Sequence, residues 1–171
     1  MNRRTFIAKL EKLFPSITLS ESTSVEEAVK NAPIVTAVTR AREPIITARM
    51  LAKGAHFNAV GAITPEREEF TQDVFDRVDL IAVDLIESVK ALSAEFRKRF
   101  GAGDWSSVHP LSDLVAGKVK RPVDADLTLF KAMGMGLSDL ALGIEILSRV
   151  RANGGGRPIP HPKPAQPRLV R

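Results

Sequence analysis

The chain has 171 residues, 44% of them hydrophobic, with 25 basic against 20 acidic residues and a net charge of +5; that is enough chain for one domain with a real core. It contains no cysteine, which excludes a disulfide framework, a thiolate metal site and a cysteine nucleophile, and fits a reducing, cytoplasmic setting. Arg151, Arg157, Lys163, Arg168 and Arg171 stand in the last stretch with no acidic residue beside them, so the basic excess belongs to a tail, not to a nucleic-acid-binding face.

From Thr5 the apolar residues Phe6, Ile7, Leu10, Leu13 and Phe14 share one helical face, and Pro15 closes the segment. ITL at residues 17–19 reads as a short strand. Ser24 with Glu27 three residues on has capping-box spacing, predicting a brief helix ended by Pro33. IVTAVT at 34–39 is a β-rich run; a short helical TARMLAKG follows, and AHFNAVGA at 55–62 is the next strand. TPEREEFTQDVFDRV predicts a helix and VDLIAVDL at 78–85 a third strand. Apolar throughout, these runs have the pattern of a parallel sheet buried on both faces and connected by helical crossovers.

The second half is less regular. ESVKALSAEFRKRF reads as one charged amphipathic helix, GAGDWSS as a turn, and HPLSDLVAGKVKRP as a short helix ending at Gly117. Residues 127–131 form a strand, followed by a glycine-punctuated turn and a long helix that the triple glycine ends. The Pro- and Gly-rich residues 151–171 read as a disordered basic tail. No run is apolar and long enough to span a bilayer, and the basic start lacks the apolar core and cleavage site of a signal peptide. The expected fold class is α/β, a doubly wound parallel sheet.

In open parallel sheets ligands lie outside the carboxyl ends of the strands. That directs attention to TRARE, VGAIT and KAMGMG, whose contents are chiefly small residues and backbone: Thr36, Ala37, Val38 and Thr39, then Val60, Gly61 and Ala62, then Ala132 and Met133. Small residues there let a flat dinucleotide approach the backbone, although they also serve tight turns. The G-x-G-x-x-G phosphate cradle of dinucleotide folds does not occur in the chain, and GMGLSD resembles it only loosely. Asn2, Arg3 and Arg4, directly before a helix, fit the place where the second strand of such a fold meets the adenosine ribose; arginine there accommodates a 2′-phosphate.

No catalytic residue and no metal site is assigned. His56 sits inside an apolar strand as a packed or hydrogen-bonded histidine, while His109 and His161 have no acid–base partner. Capping and dipole interactions account for Asp84 and Asp139, and Asp73 and Asp76 fall on a polar helix face.

The run SVEEAVKNAPIVTAVTRAREPIITARMLAKGAHFNAVGA and the later DLTLFKAMGMGLSDLA resemble the C-terminal part of the ornithine cyclodeaminase/mu-crystallin family, which also includes imine reductases and some alanine dehydrogenases. The likeness covers residues 2 to about 150, with EPII, KGAHFNAVGA and TLFKAMG specific in combination. It implies a homodimer with a Rossmann NAD(P)(H) domain and a separate substrate domain. In that family the first strand and Gly-rich loop precede the point where this chain begins. The expectation is therefore a C-terminal portion: an incomplete Rossmann domain with its closing helix at residues 1–150, and the tail at 151–171.

The resemblance also distributes the site. Asn2, Arg3 and Arg4 match the adenosine side and favour NADP(H), with NAD(H) as the alternative. Thr36, Ala37 and Val38 match the loop against the cofactor's middle, Val60 the end of the next strand, and Ala132 and Met133 the nicotinamide-side turn. Departures are informative: Ile63 stands where the cyclodeaminase branch carries a catalytic aspartate, Ala132 replaces a frequent serine, Pro33 a frequent aspartate, and Ser93-Ala94-Glu95 a Ser-Gly-Asp turn. These favour a reductase acting on a cyclic imine of the pyrroline-2-carboxylate type over a true ornithine cyclodeaminase. A non-catalytic remnant retaining dimer or weak nucleotide contacts is the second reading, and a basic-tailed nucleic-acid binder the last.

Overall fold

The computed structural model describes residues 3–157 and 159. Asn2 and most of the predicted tail lie outside the described residues. The chain divides into two units, Met1–Gly134 and Met135–Arg171.

The first unit is built on five strands: β1 (Ile34–Ala37), β2 (Ala55–Ala59), β3 (Val78–Val83), β4 (Val108–Pro110) and β5 (Leu127–Lys131). All neighbours are parallel, in the order β1-β2-β5-β3-β4. This is the expected Rossmann-like α/β sheet, with the last strand in sequence inserted at its centre. Helices α1 (Arg3–Leu13), α2 (Val25–Val29), α3 (Ile86–Leu92), α4 (Ala94–Phe100) and α5 (Leu111–Val115) accompany it. The cap of α2 forms as its spacing predicts: Ser24 Oγ accepts from Glu27 N at 3.1 Å. The Glu27 carboxylate reaches back one residue further than a capping box requires, accepting from both Thr23 N and Thr23 Oγ at 2.8 Å.

One face of the sheet carries the core. Val35, Ala37, Ala55, Phe57, Ala59, Ile81, Val83, Val108, Leu127 and Leu129 are all buried, and the register places them on a common side. Above them runs a relay of aromatic rings. Phe57 meets Phe70 at 5.5 Å, Phe70 meets Phe75 at 5.3 Å, Phe75 meets Phe96 at 5.1 Å, and Phe100 meets Trp105 at 5.0 Å. Most of these contacts are edge-to-face, the arrangement the ring quadrupoles favour.

Several sequence expectations need correction. Residues 17–19 are not a strand; three residues form no ladder alone, and no described strand lies beside the outer edge of β1. TPEREEFTQDVFDRV is not one helix: only Gln72–Arg77 coils, as a 3₁₀ turn. Before it, Phe70 forms a parallel bridge with Ile46, and Glu69 O accepts from the amides of Ile45 and Ile46. Those bonds hold the backbone extended. ESVKALSAEFRKRF breaks into α3 and α4 at Ser93, whose ψ of 115° is non-helical; its hydroxyl caps α4 and donates to Glu95 Oε2 at 2.8 Å. His109 lies in β4, an edge strand short enough to end on Pro110, which has no N–H to offer a ladder.

Burial on both faces also fails for β1 and β2. Ile34 and Thr36 are exposed, and His56 and Asn58 half-buried. A polar ladder runs across this second face. Arg121 Nη1 donates to Thr128 Oγ at 3.0 Å, His56 Nδ1 lies 2.8 Å from that same oxygen, His56 Nε2 lies 3.0 Å from Asn58 Oδ1, and Asn58 Nδ2 donates to Thr36 Oγ at 3.2 Å. His56 is thus the hydrogen-bonded histidine its position implies.

In the second unit α6 (Gly136–Ala152) spans 17 residues without a buried one. Leu137, Leu140, Ile144 and Leu147, spaced to share a helical side, are all exposed. The triple glycine ends it as expected, Gly154 at φ +63° and Gly155 N donating back to Val150 O at 2.9 Å. Among the described residues no helix is long and apolar enough to cross a membrane.

At the amino edge of the sheet one arginine does the joining. Arg77 grips Asp126 through two bonds of 2.9 Å, and also donates to the carbonyls of Ala48 and Leu51. Asp126 in turn accepts from Gly54 N through its carbonyl at 2.6 Å. Arg77→Met should lower unfolding stability in urea by about 3 kcal/mol, and Arg77→Lys should recover less than half of that, because an ammonium cannot reproduce the fork. Hydrogen bonding from Arg77 holds the Asp126 carboxyl below its ordinary value of 3.8. The stabilisation is therefore complete above that value and is lost as the pH falls through the depressed one, so the wild-type stability curve should steepen in acid where that of Arg77→Met does not.

Candidate functional site

At the opposite edge, the register sets Ala37 level with Ala59, and Ala59 level with Lys131. The ladder continues one step past each strand: Val60 N donates to Ala37 O at 2.9 Å, and Ala132 N to Ala59 O at 3.1 Å. The exits of β1, β2 and β5 are consequently neighbours. Thr36, Ala37, Val38, Val60, Ala132 and Met133 come to one edge. Val38 is 70% exposed, Val60 and Ala132 are half-buried, and Ala37 and Met133 are buried beneath them. The result is a shelf of small side chains and backbone.

Arg3 and Arg4 open α1 and are tied to the segment leading into α2. Arg4 Nε donates to Glu21 Oε1 at 3.0 Å, while Arg3 donates to Ser22 O and lies 4.0 Å from Glu21 Oε2. Both guanidinium groups are largely exposed. Arg3 also borders an apolar groove lined by Phe6, Ile7, Leu10, Leu19 and Ala28.

What the sequence reading missed lies under the shelf. Glu69, Glu95 and Lys131 are each fully buried. Four donors converge on the Glu69 carboxylate: Thr39 N at 2.7 Å and Thr39 Oγ at 2.8 Å on one oxygen, Gly61 N at 2.8 Å and Ala62 N at 3.2 Å on the other. One side chain thereby holds the loops after β1 and β2 together. Glu95 Oε1 accepts from Glu69 N at 3.0 Å and lies 3.8 Å from Lys131 Nζ. Lys131 Nζ donates to Ala62 O at 2.6 Å. Burial pushes the Lys131 ammonium below the ordinary lysine value, opposed by the carboxylates of Glu95, Glu69 and Asp84. A charged residue closing the otherwise apolar LTLFK was the available signal. For Glu69 there was none, since it is one of three glutamates in EREEF.

Asp84 fixes the third exit. Its Oδ2 accepts from Met133 N at 2.8 Å and Gly134 N at 2.7 Å, and its Oδ1 from Leu85 N at 2.7 Å. Glu69 and Asp84 are both engaged by backbone donors, which makes them scaffold rather than acid–base groups. The shelf can receive a flat ligand and press it against backbone; it offers no obvious proton donor, and Ile63, just beyond Ala62, is partly exposed.

A parallel sheet with a central late strand and a small-residue shelf at its carboxyl edge defines a Rossmann-like α/β domain. Within that class, residues 1–154 match the ornithine cyclodeaminase/mu-crystallin family, and the chain belongs to it. Ketimine reductase mu-crystallin from Mus musculus is 33% identical over 118 residues, covering 68% of this chain and 36% of that protein. Delta(1)-pyrroline-2-carboxylate reductase from Bacillus cereus is 27% identical over 141 residues, 80% of this chain and 43% of that one. Among solved structures, Thermococcus litoralis Delta(1)-pyrroline-2-carboxylate reductase in complex with NADH and L-proline aligns with a TM-score of 0.80 at 25% identity, over 93% of this chain and 51% of that chain. The chain spans about half the length of the relatives it matches, or less.

Gly61 tests the packing of the loops directly. A methyl at this position would overlap the Thr39 backbone and Glu69 Oε1, so Gly61→Ala should cost about 3 kcal/mol or more in thermal or urea unfolding. Lys131→Met should cost a similar amount by leaving two buried carboxylates without a cation, and adding Glu95→Gln should restore part of it.

Proposed function

We propose that this chain is the dinucleotide-holding part of an NAD(P)H-dependent imine reductase, acting on a cyclic imine acid of the pyrroline-2-carboxylate class. The observation that carries this is the alignment of three adjacent strand exits, all small, at the carboxyl edge of a parallel sheet. The match to two relatives named as imine reductases supports it, since they align over 80% and 68% of this chain.

The described residues fit the body of a dinucleotide. Thr36, Val38, Val60 and Ala132 supply surface and backbone without bulk, Glu69 and Asp84 fix the loops that carry them, and Met133 floors the turn at the nicotinamide side. The pyrophosphate has no Gly-rich cradle among these residues. A bound nicotinamide supplies the hydride; the shelf's task is to orient its ring and exclude water on one side. Arg3 and Arg4 favour NADP(H), a 2′-phosphate competing with Glu21 for both guanidinium groups. Ile63 favours a reductase over a cyclodeaminase, because a protonated imine needs no acid from that loop. Homodimerisation of the complete protein completes the reading.

The test is a fluorescence titration of the chain with NADPH and NADH. Binding of NADPH is expected, and the double variant Arg3→Ala, Arg4→Ala should weaken NADPH about tenfold while leaving NADH nearly unchanged. Equal loss of both would refute the 2′-phosphate role.

A further inference from the structure

We propose that Glu69 is a positioning residue for the dinucleotide: its carboxylate, anchored through Glu95 to Lys131, sets the mutual placement of the loops after β1 and β2 that carry the cofactor beyond its adenosine half. This rests on the dinucleotide reading above.

The first argument is geometric. Loops at the ends of parallel strands have no partner strand, and their amides need acceptors. Thr39 N, Gly61 N and Ala62 N all find theirs on a single side chain. Two separate loops therefore share one anchor, and neither can shift without releasing the other. The anchor is itself held from behind, since Glu69 N donates to Glu95 Oε1 at 3.0 Å, and Ser93 Oγ fixes the other Glu95 oxygen at 2.8 Å. Lys131 closes the circuit from the central strand, donating to Ala62 O.

The second argument is energetic. Two buried carboxylates around one ammonium are a poor way to stabilise a core, because apolar residues of the same size usually serve at least as well. What the arrangement achieves is a unique loop geometry. Gly61 reinforces the point, since the β2 exit crosses Thr39 so closely that no side chain fits between them. The shelf residues Val38 and Val60 flank these anchored amides directly in sequence.

Glu69→Gln keeps the shape of the side chain but turns one acceptor into a donor that faces N–H groups, releasing at least one loop. The experiment compares wild type, Glu69→Gln and Thr39→Val as full-length chains. Affinities are measured for NADPH by fluorescence and for 2′,5′-ADP by calorimetry, alongside amide hydrogen exchange. We expect Glu69→Gln to weaken NADPH about tenfold or more, to leave 2′,5′-ADP within about twofold, and to speed exchange at Thr39, Gly61 and Ala62 while Phe57 and Leu129 stay protected. Thr39→Val, which removes the hydroxyl that donates to Glu69 and accepts a long bond of 3.4 Å from Ala41 N, should weaken NADPH severalfold with the same selectivity, and it decides the matter if Glu69→Gln does not fold. NADPH binding unchanged in the folded variants, or lost in step with 2′,5′-ADP, overturns the positioning role. A wild-type chain that binds neither ligand overturns the functional reading instead.

Discussion

The structure turns on a lysine at the end of the central strand. Lys131 closes β5 with its ammonium in the dry interior, where an unpaired charge would be prohibitive. Its partners come from four places in the sequence: a carbonyl in the loop after β2, a carboxylate at the start of α4, and, as the wider field, Glu69 and Asp84. Because side chains alternate along a strand, a slip of β5 by one residue would carry Lys131 to the other face of the sheet and put Phe130 in its place. The same slip would strand Glu69 and Glu95 without a cation. Register at the sheet's centre and loop placement at its edge are thus decided by one cluster, and both have to be right together.

That cluster also explains where the sequence was readable. The runs 34–39, 55–62, 78–85 and 127–131 declared themselves as strands because they are largely apolar and rich in β-formers, with Pro33 and Gly54 marking the starts of the first two, features that act locally. Ser24 and Glu27 declared a cap for the same reason. The break at Ser93 could not be read from local propensity, which favours one continuous helix through SVKALSAEF; only the resemblance, which set a turn at Ser93-Ala94-Glu95, pointed to it. What interrupts it is the distant requirement that Glu95 reach Glu69 and Lys131, met by turning the chain at Ser93. The TPEREEFTQDVFDRV segment failed similarly: its acidic, apolar spacing suits a helix, yet Glu69 and Phe70 are both drawn into the core from extended backbone. The shelf of small residues was legible and the acids that hold it were not, since burial is what separates Glu69 from Glu66 and Glu68, and burial is a property of the fold.

The two edges of the sheet are held by opposite means. At the amino edge Arg77 and Asp126 meet in partly exposed surroundings, where a forked ion pair with extra bonds to carbonyls stabilises with little desolvation. At the carboxyl edge the acids are buried and satisfied by backbone amides, an arrangement that fixes geometry at an energetic cost. Such division is what an open parallel sheet requires, because its amino-end connections need only hold, while its carboxyl-end loops must hold and also face a ligand.

This division bears on the kind of chemistry proposed. Among the described residues the buried acids at this edge are taken up by hydrogen-bond donors and by Lys131, and the Gly61–Ala62 loop continues into Ile63 rather than an acid. Deaminating cyclisation demands proton transfers at the substrate, which an aspartate in that loop would serve. Reduction of an imine that arrives protonated demands chiefly that the ring of the hydride donor be held still and dry. A rigid shelf without an acid is suited to the second task, and the cost of burying Glu69 and Glu95 is intelligible as the cost of that rigidity.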